Sequence, residues 1–123
     1  MAKHRNKPFG EALREKRIEK GFSLRKFAQL VGVSPTYLSQ VEQGNVDPPT
    51  ADRVKRMAEL MEESPDEWTA LAGRVPEDLP AIIQEKTEVP DLLRAVQGMT
   101  ADQLRRLRES AENMKKEGKK GAK

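Results

Sequence analysis

The chain has 123 residues, 36% of them hydrophobic and 35% charged, with a net charge of +3 and no cysteine. That length suits one small domain with an appendage and is too short for two full-sized cores. The lack of cysteine excludes disulfides and thiolate metal sites, and the lone histidine, His4, sits in a polar arm without converging ligands, so no metal and no other cofactor is expected. No apolar run approaches a membrane span, and the start lacks the apolar stretch of a signal peptide, so a cytoplasmic protein with no membrane association is expected.

Charge is spread unevenly. Residues 1–33 carry nine Lys/Arg against three Glu; residues 34–72 carry three Lys/Arg against eight Asp/Glu; residues 73–123 carry eleven against nine. A basic first third can attract phosphates, but a solvated helix face would show the same excess.

The elements read as helices throughout, and no strand is expected. A first helix should begin near Pro8-Phe9 and end before Gly21. Ser23 reads as the N-cap of a second helix, Leu24 to about Val31, closed by Gly32. Ser34 caps a third, with Pro35 in its first position, running to Gln43 before Gly44. Asn45 to Pro49 holds two prolines and must be a loop. A fourth helix follows from Thr50 to about Glu62. Ser64-Pro65-Asp66-Glu67 is a capping box that opens a short fifth helix, ending at Gly73.

Apolar residues recur at helical spacing in each element: Phe9 and Leu13; Leu24, Phe27, Ala28 and Val31; Leu38 and Val41; Val54, Met57, Ala58 and Met61. These stripes are expected to form one core, closed from the fifth helix by Trp68 and Leu71. Beyond Gly73 the dipeptides Val75-Pro76 and Leu79-Pro80 mark a hinge. Short helices are expected at 81–86 and 90–97. Thr100-Ala101-Asp102-Gln103 is a second capping box, opening a helix to about Lys116. The chain therefore divides into a domain at 1–73, a helical module at 74–117 and a Gly/Lys-rich tail at 118–123, expected to be disordered.

The segment from Leu24 to Gly44 carries the function. Two short helices meet at a tight turn, where small Ala28 allows close approach and Gly32 permits the bend. Val33, Leu38 and Val41 fix the second of these helices inward. Its outward face is then Ser34, Thr36, Tyr37, Ser39, Gln40 and Gln43, short or amide-bearing and nearly uncharged. A face that needed only solubility would carry more Lys and Glu. Thr can meet a base edge or a thymine methyl, and Gln can pair with adenine through two hydrogen bonds.

In its ordered set of residues the chain resembles the Cro/C1-type (XRE) helix-turn-helix family over residues 9–72. The set comprises Leu13-Arg14, Arg17, Gly21-Phe22-Ser23, Phe27-Ala28, Gly32-Val33-Ser34, Tyr37-Leu38-Ser39, Val41-Glu42-Gln43-Gly44 and Pro49. The resemblance implies an all-α fold of five helices whose third helix enters the major groove. It places Thr36 and Gln40 at base-reading positions and Tyr37 where a base or a phosphate is met. Ser23, Ser34, Gln43 and Asn45 fall at phosphate-contacting positions. With Arg25 and Lys26 at the start of the second helix and Ser39 on the outward face, these form the expected DNA-binding set. The resemblance also pairs Arg17 with Glu42 as a partly buried ion pair. Two departures stand out: Leu24 stands where family members often have Gln, and Pro35 where some have Gln.

No catalytic residue is expected, since no nucleophile–base pair and no Gly-rich phosphate loop can be assembled. In the last helix Leu104, Leu107, Ala111 and Met114 recur at three-four-three spacing, a narrow seam suited to a partner helix. The expected protein is a dimeric transcriptional repressor that binds palindromic double-stranded DNA and dimerises through residues 74–117. The alternative is an antitoxin whose carboxy-terminal module clasps a toxin. A regulatory metallopeptidase that cleaves the module is a further candidate partner, and a protein-interaction adaptor is the rival outside DNA binding.

Overall fold

A computed structural model describes residues 6–122. Those residues form eight helices and no strand: α1 (Asn6–Glu19), α2 (Leu24–Val31), α3 (Pro35–Glu42), α4 (Ala51–Leu60), α5 (Pro65–Leu71), α6 (Leu79–Glu85), α7 (Glu88–Ala95) and α8 (Ala101–Ala122). The chain divides into two compact units after Leu79. His4 and the basic residues Lys3 and Arg5 lie outside the described residues.

Short side chains at the helix boundaries explain where the helices of the first unit start. Ser23 Oγ accepts the Lys26 N–H at 3.1 Å, Ser34 Oγ accepts the Tyr37 N–H at 3.0 Å, and Ser64 Oγ accepts the Glu67 N–H at 3.2 Å. Each bond satisfies a donor that the first turn of a helix leaves unpaired. Thr50 flanks α4 in extended conformation without a side-chain cap bond. At the end of α2, Gly32 adopts φ 89°, and its N–H reaches back to the carbonyls of Ala28 and Gln29. A side chain at that φ would meet its own backbone, so glycine fixes the sharp turn into α3.

The apolar stripes of α1 to α5 converge. Phe9, Leu13, Phe27, Ala28, Leu38, Val41, Val54, Met57, Ala58 and Met61 are buried. Leu24, Val31, Val33, Phe22 and Val46 pack against them while partly exposed. Phe9 meets Trp68 edge-on, with ring centroids 6.0 Å apart. The Trp68 indole N–H donates to Glu63 at 3.4 Å, and this bond, aided by the Lys16 ammonium at 3.5 Å, holds the Glu63 carboxyl below the usual carboxylate range.

Leu71 departs from expectation: it is 39% exposed and does not close the core. Thr69 and Ala72 are buried beside Trp68 instead. At 100° per residue, 68, 69 and 72 share one face of a short helix, and 71 falls to its side. Helix α1 begins two residues before the expected start at Pro8. Helix α8 runs to Ala122, past the expected end near Lys116 and through the tail expected to be disordered. Lys115, Lys116 and Lys119 lie towards the carboxyl end of that helix, where cations complement the dipole.

The second unit is of a different kind. None of residues 80–119 is buried. Ile82, Leu92, Leu93, Leu104 and Met114 are all exposed, Met114 by 67%. Leu107 and Val96 are half-buried.

One close approach was not visible in the hydrophobic pattern. Gly10, buried in α1, faces the end of α3. A Cβ placed there would lie 2.5 Å from the Val41 carbonyl oxygen and 2.6 Å from that of Glu42. Both neighbours are backbone, which cannot swing aside. Gly10→Ala should therefore push α1 off α3 and destabilise the domain by about 1–3 kcal/mol, the usual cost of overpacking. Thermal unfolding should show the melting temperature lowered by roughly 4–8 °C per kcal/mol in a domain of this size. An unchanged melting temperature would mean that α1 and α3 separate freely.

Candidate nucleic-acid interface

Helices α2 and α3 form the helix-turn-helix, and α1 and α4 hold it from behind. Arg17 in α1 makes the main connection. Its Nε donates to Glu42 Oε2 at 2.6 Å and its Nη2 to Glu42 Oε1 at 3.0 Å. The remaining terminal nitrogen, Nη1, donates to the Phe22 carbonyl at 2.9 Å. The two side chains are 8% and 4% exposed. The guanidinium thus grips the last residue of α3 through a fork while anchoring the segment that leads into α2. A planar fork resists rotation in a way that a lysine ammonium does not.

The outward side of α3 divides into two parts. Thr36 is exposed and Gln40 half-exposed. They are one helical turn apart, on a single face. Neither side chain has a hydrogen-bond partner among the described residues, so both are available to an incoming ligand. Ser39, Gln43 and Asn45 form a linked run instead: Gln43 Nε2 donates to Ser39 Oγ at 2.9 Å, and Asn45 Nδ2 donates to Gln43 Oε1 at 3.1 Å. Tyr37 is half-buried beside Ser34 in a cleft shared with Gly32, Val33 and Arg53. Ser23, Arg25 and Lys26 are exposed at the opposite end of α2. The oxygens of Ser23 and Ser34 are already committed to capping, which leaves their hydroxyl protons for another acceptor.

Sequence reasoning missed two arginines on α4. Arg53 Nη1 donates to the Gly32 carbonyl at 3.1 Å, and Arg56 Nε donates to the Leu30 carbonyl at 3.4 Å. They cap the carboxyl end of α2 from a neighbouring helix. The signal available was their three-residue spacing on the polar side of α4, within a segment otherwise rich in acids. Arg74 was missed too. It donates to the carbonyls of Pro48 and Pro49, tying down the loop that follows α3.

Among the described residues, no group of three or more His, Asp or Glu could hold a metal ion. A second cleft, between the starts of α4 and α5, is lined by Asp52, Asp66, Glu77 and Asp78 with Lys55, an acidic setting that repels phosphate. No described helix is long and apolar enough to cross a membrane.

Residues 13–68 match the helix-turn-helix family. No curated protein matches the chain. Among solved structures, the clp gene regulator ClgR from C. glutamicum is similar at 29% identity over 56% of this chain and 88% of its own, with a TM-score of 0.48. Another structure of ClgR gives 25% identity over 76% and 90%, with a TM-score of 0.49. The SinR–SinI protein complex is similar at 19% identity over 88% and 98%, with a TM-score of 0.47.

The ion pair invites a direct test. Removing one partner strands a buried charge, at a cost of about 3–5 kcal/mol, whereas an apolar pair of similar volume leaves none. Arg17→Met and Glu42→Leu should each lower the melting temperature sharply, and the double variant should recover much of the loss. Purely additive effects in this cycle would show that the two side chains are not coupled in solution.

Proposed function

We propose that the chain is a dimeric transcriptional repressor of the Cro/C1-type helix-turn-helix family, reading a palindromic double-stranded site, a reading supported by the match of residues 13–68 to the helix-turn-helix family. The observation that carries this reading is the outward face of α3. Thr36 and Gln40 project there without intramolecular partners, flanked by Tyr37 and by the Ser39–Gln43–Asn45 run, with no charged side chain among them.

Such a face suits the floor of a major groove. Gln40 would hold an adenine edge through its amide, and Thr36 would contact a neighbouring base or a thymine methyl. Ser23, Arg25 and Lys26 would meet the phosphates beside the start of α2. Ser34, Gln43 and Asn45 would meet those along α3, with Tyr37 at the boundary between base and phosphate. Phosphate contacts supply affinity and register; the two unpartnered side chains supply sequence discrimination. Arg17 and Glu42 touch no DNA in this scheme. They set the angle at which α3 is presented.

Dimerisation is assigned to the carboxy-terminal helices, residues 74–117. A helical unit with no buried residue and a row of exposed Leu, Ile and Met side chains requires a partner surface. A second copy is the partner that matches a two-fold-symmetric site. Repression is then the direct result of occupancy, because a dimer filling two groove segments excludes other proteins from that DNA. An antitoxin would use the same apolar row for a toxin; co-purification of a second polypeptide from the native host would favour that assignment.

Sequences selected from a random duplex pool by the purified protein would define the site. On that site, Thr36→Ala and Gln40→Ala should each cost about 1–3 kcal/mol, with little effect on random duplex. Equal losses on both would remove these residues from base reading.

Truncation after Leu79 should leave a folded domain that sediments as a monomer and binds the full site weakly. Two half-sites would no longer share one binding event. A truncated chain that remains dimeric would overturn the assignment of the carboxy-terminal unit.

A further inference from the structure

Helix α2 carries cations at both ends, and they come from different elements. Arg25 and Lys26 stand in its own first turn. At its carboxyl end the cations come from α4, where Arg53 reaches the Gly32 carbonyl and Arg56 the Leu30 carbonyl. Arg53 is the better placed for a ligand. It lines a surface cleft with Gly32, Val33, Ser34 and Tyr37, at the entry to α3. Its side chain is exposed and makes its single hydrogen bond through Nη1. No carboxylate pairs with it among the described residues. Most of its donors, and its full charge, remain open to solvent in a cleft that Ser34 and Tyr37 also line.

The spacing fits the walls of a groove. Helix α2 has eight residues. It is therefore about 12 Å long at roughly 1.5 Å per residue. The major groove of B-form DNA is about 12 Å wide. A helix lying across the groove, with α3 set into it, would bring its two ends to opposite phosphate rows. Arg25 and Lys26 occupy one end. We infer that Arg53 holds a DNA backbone phosphate on the opposite groove wall, with the hydroxyls of Ser34 and Tyr37 completing the contact. The α4 arginine thereby clamps the duplex while its Nη1 keeps the turn between α2 and α3 in place. This rests on the DNA-binding reading and adds to it a contact from outside the helix-turn-helix itself.

The test uses the full chain and a labelled mixed-sequence duplex of about three helical turns (roughly 30 base pairs), so that no operator need be known. Affinity is measured by fluorescence anisotropy across a salt series. Each phosphate contact adds about 0.9 to the slope of log affinity against log salt, which amounts to roughly an eightfold gain at 0.1 M salt. Arg53→Gln should therefore shallow the slope by about one and weaken binding by roughly that factor, while Arg53→Lys, which keeps the charge, should restore most of the slope. Thermal melting of each variant separates this from a fold defect, because a purely structural arginine would lower the melting temperature without changing the slope. An unaltered slope for Arg53→Gln, with the natural chain binding normally, would overturn the clamp and leave the DNA reading intact. A natural chain that binds no duplex at any salt would overturn both.

Discussion

The bond between Arg17 and Glu42 ties the end of α3 to α1 and to the approach to α2. Two charges lie almost wholly out of water, joined by two nitrogens to two oxygens, and the third guanidinium nitrogen of Arg17 is spent on the Phe22 carbonyl. The guanidinium therefore meets three elements at once: α1, the approach to α2, and the end of α3. Helix α3 is eight residues long, too short to be stable by itself. Its orientation must come from its surroundings. An apolar contact at the same place would stabilise the domain as well or better, but would permit rolling of one helix on the other. A two-pronged bond permits one angle, and a helix that reads base edges needs one angle.

Gly10 supports the same geometry from the next turns of α1. The chain of α1 passes so close to the carbonyls of Val41 and Glu42 that no side chain fits between them. The fork and the close approach act on the same end of α3, one by attraction and the other by permitting contact. Arg53 and Arg56 act on α2 in a similar way, covering the carbonyls that its last turn leaves open. No buried side-chain nitrogen or oxygen among the described residues lacks a partner. Arg17, Arg53 and Arg56 each reach from one helix to the end of another.

Much of the first unit was legible in the sequence because its signals are local. Ser23, Ser34 and Ser64 announce helix starts through bonds to residues three positions on, and Gly32 announces a stop through its own backbone. The 3.6-residue recurrence of Phe27, Leu38, Val41, Val54 and Met57 identifies the buried faces. What escaped was long-range or rotational. Leu71 is as apolar as its neighbours, yet a seven-residue helix has too few turns for periodicity to fix its rotation, and Thr69 and Ala72 took the inward side. Arg53 and Arg74 act across more than twenty residues of sequence; the spacing of Arg53 and Arg56 marks a polar side of α4 but does not name the carbonyls they reach, and Arg74 has no such local signal. The helical continuation of α8 past Lys116 opposes the low helix propensity of Gly118 and Gly121, so composition there pointed the other way.

The contrast between the units bears on how binding would be controlled. Residues up to Leu79 bury aromatic, aliphatic and ionic groups and supply their own stability, whereas residues 80–119 bury none completely. Under the proposed dimerisation, a unit of the second kind would gain its order from association, and its folding free energy would be inseparable from that of its assembly. If a second copy provides that association, chain concentration sets the fraction of protein able to engage both half-sites, while the reading domain remains folded throughout. Any partner that competed for Leu92, Leu93 and Leu104 would then weaken DNA binding without touching α3. Control would then act on the coupling between the two domains of the proposed dimer and leave the contacts proposed for Thr36 and Gln40 unchanged.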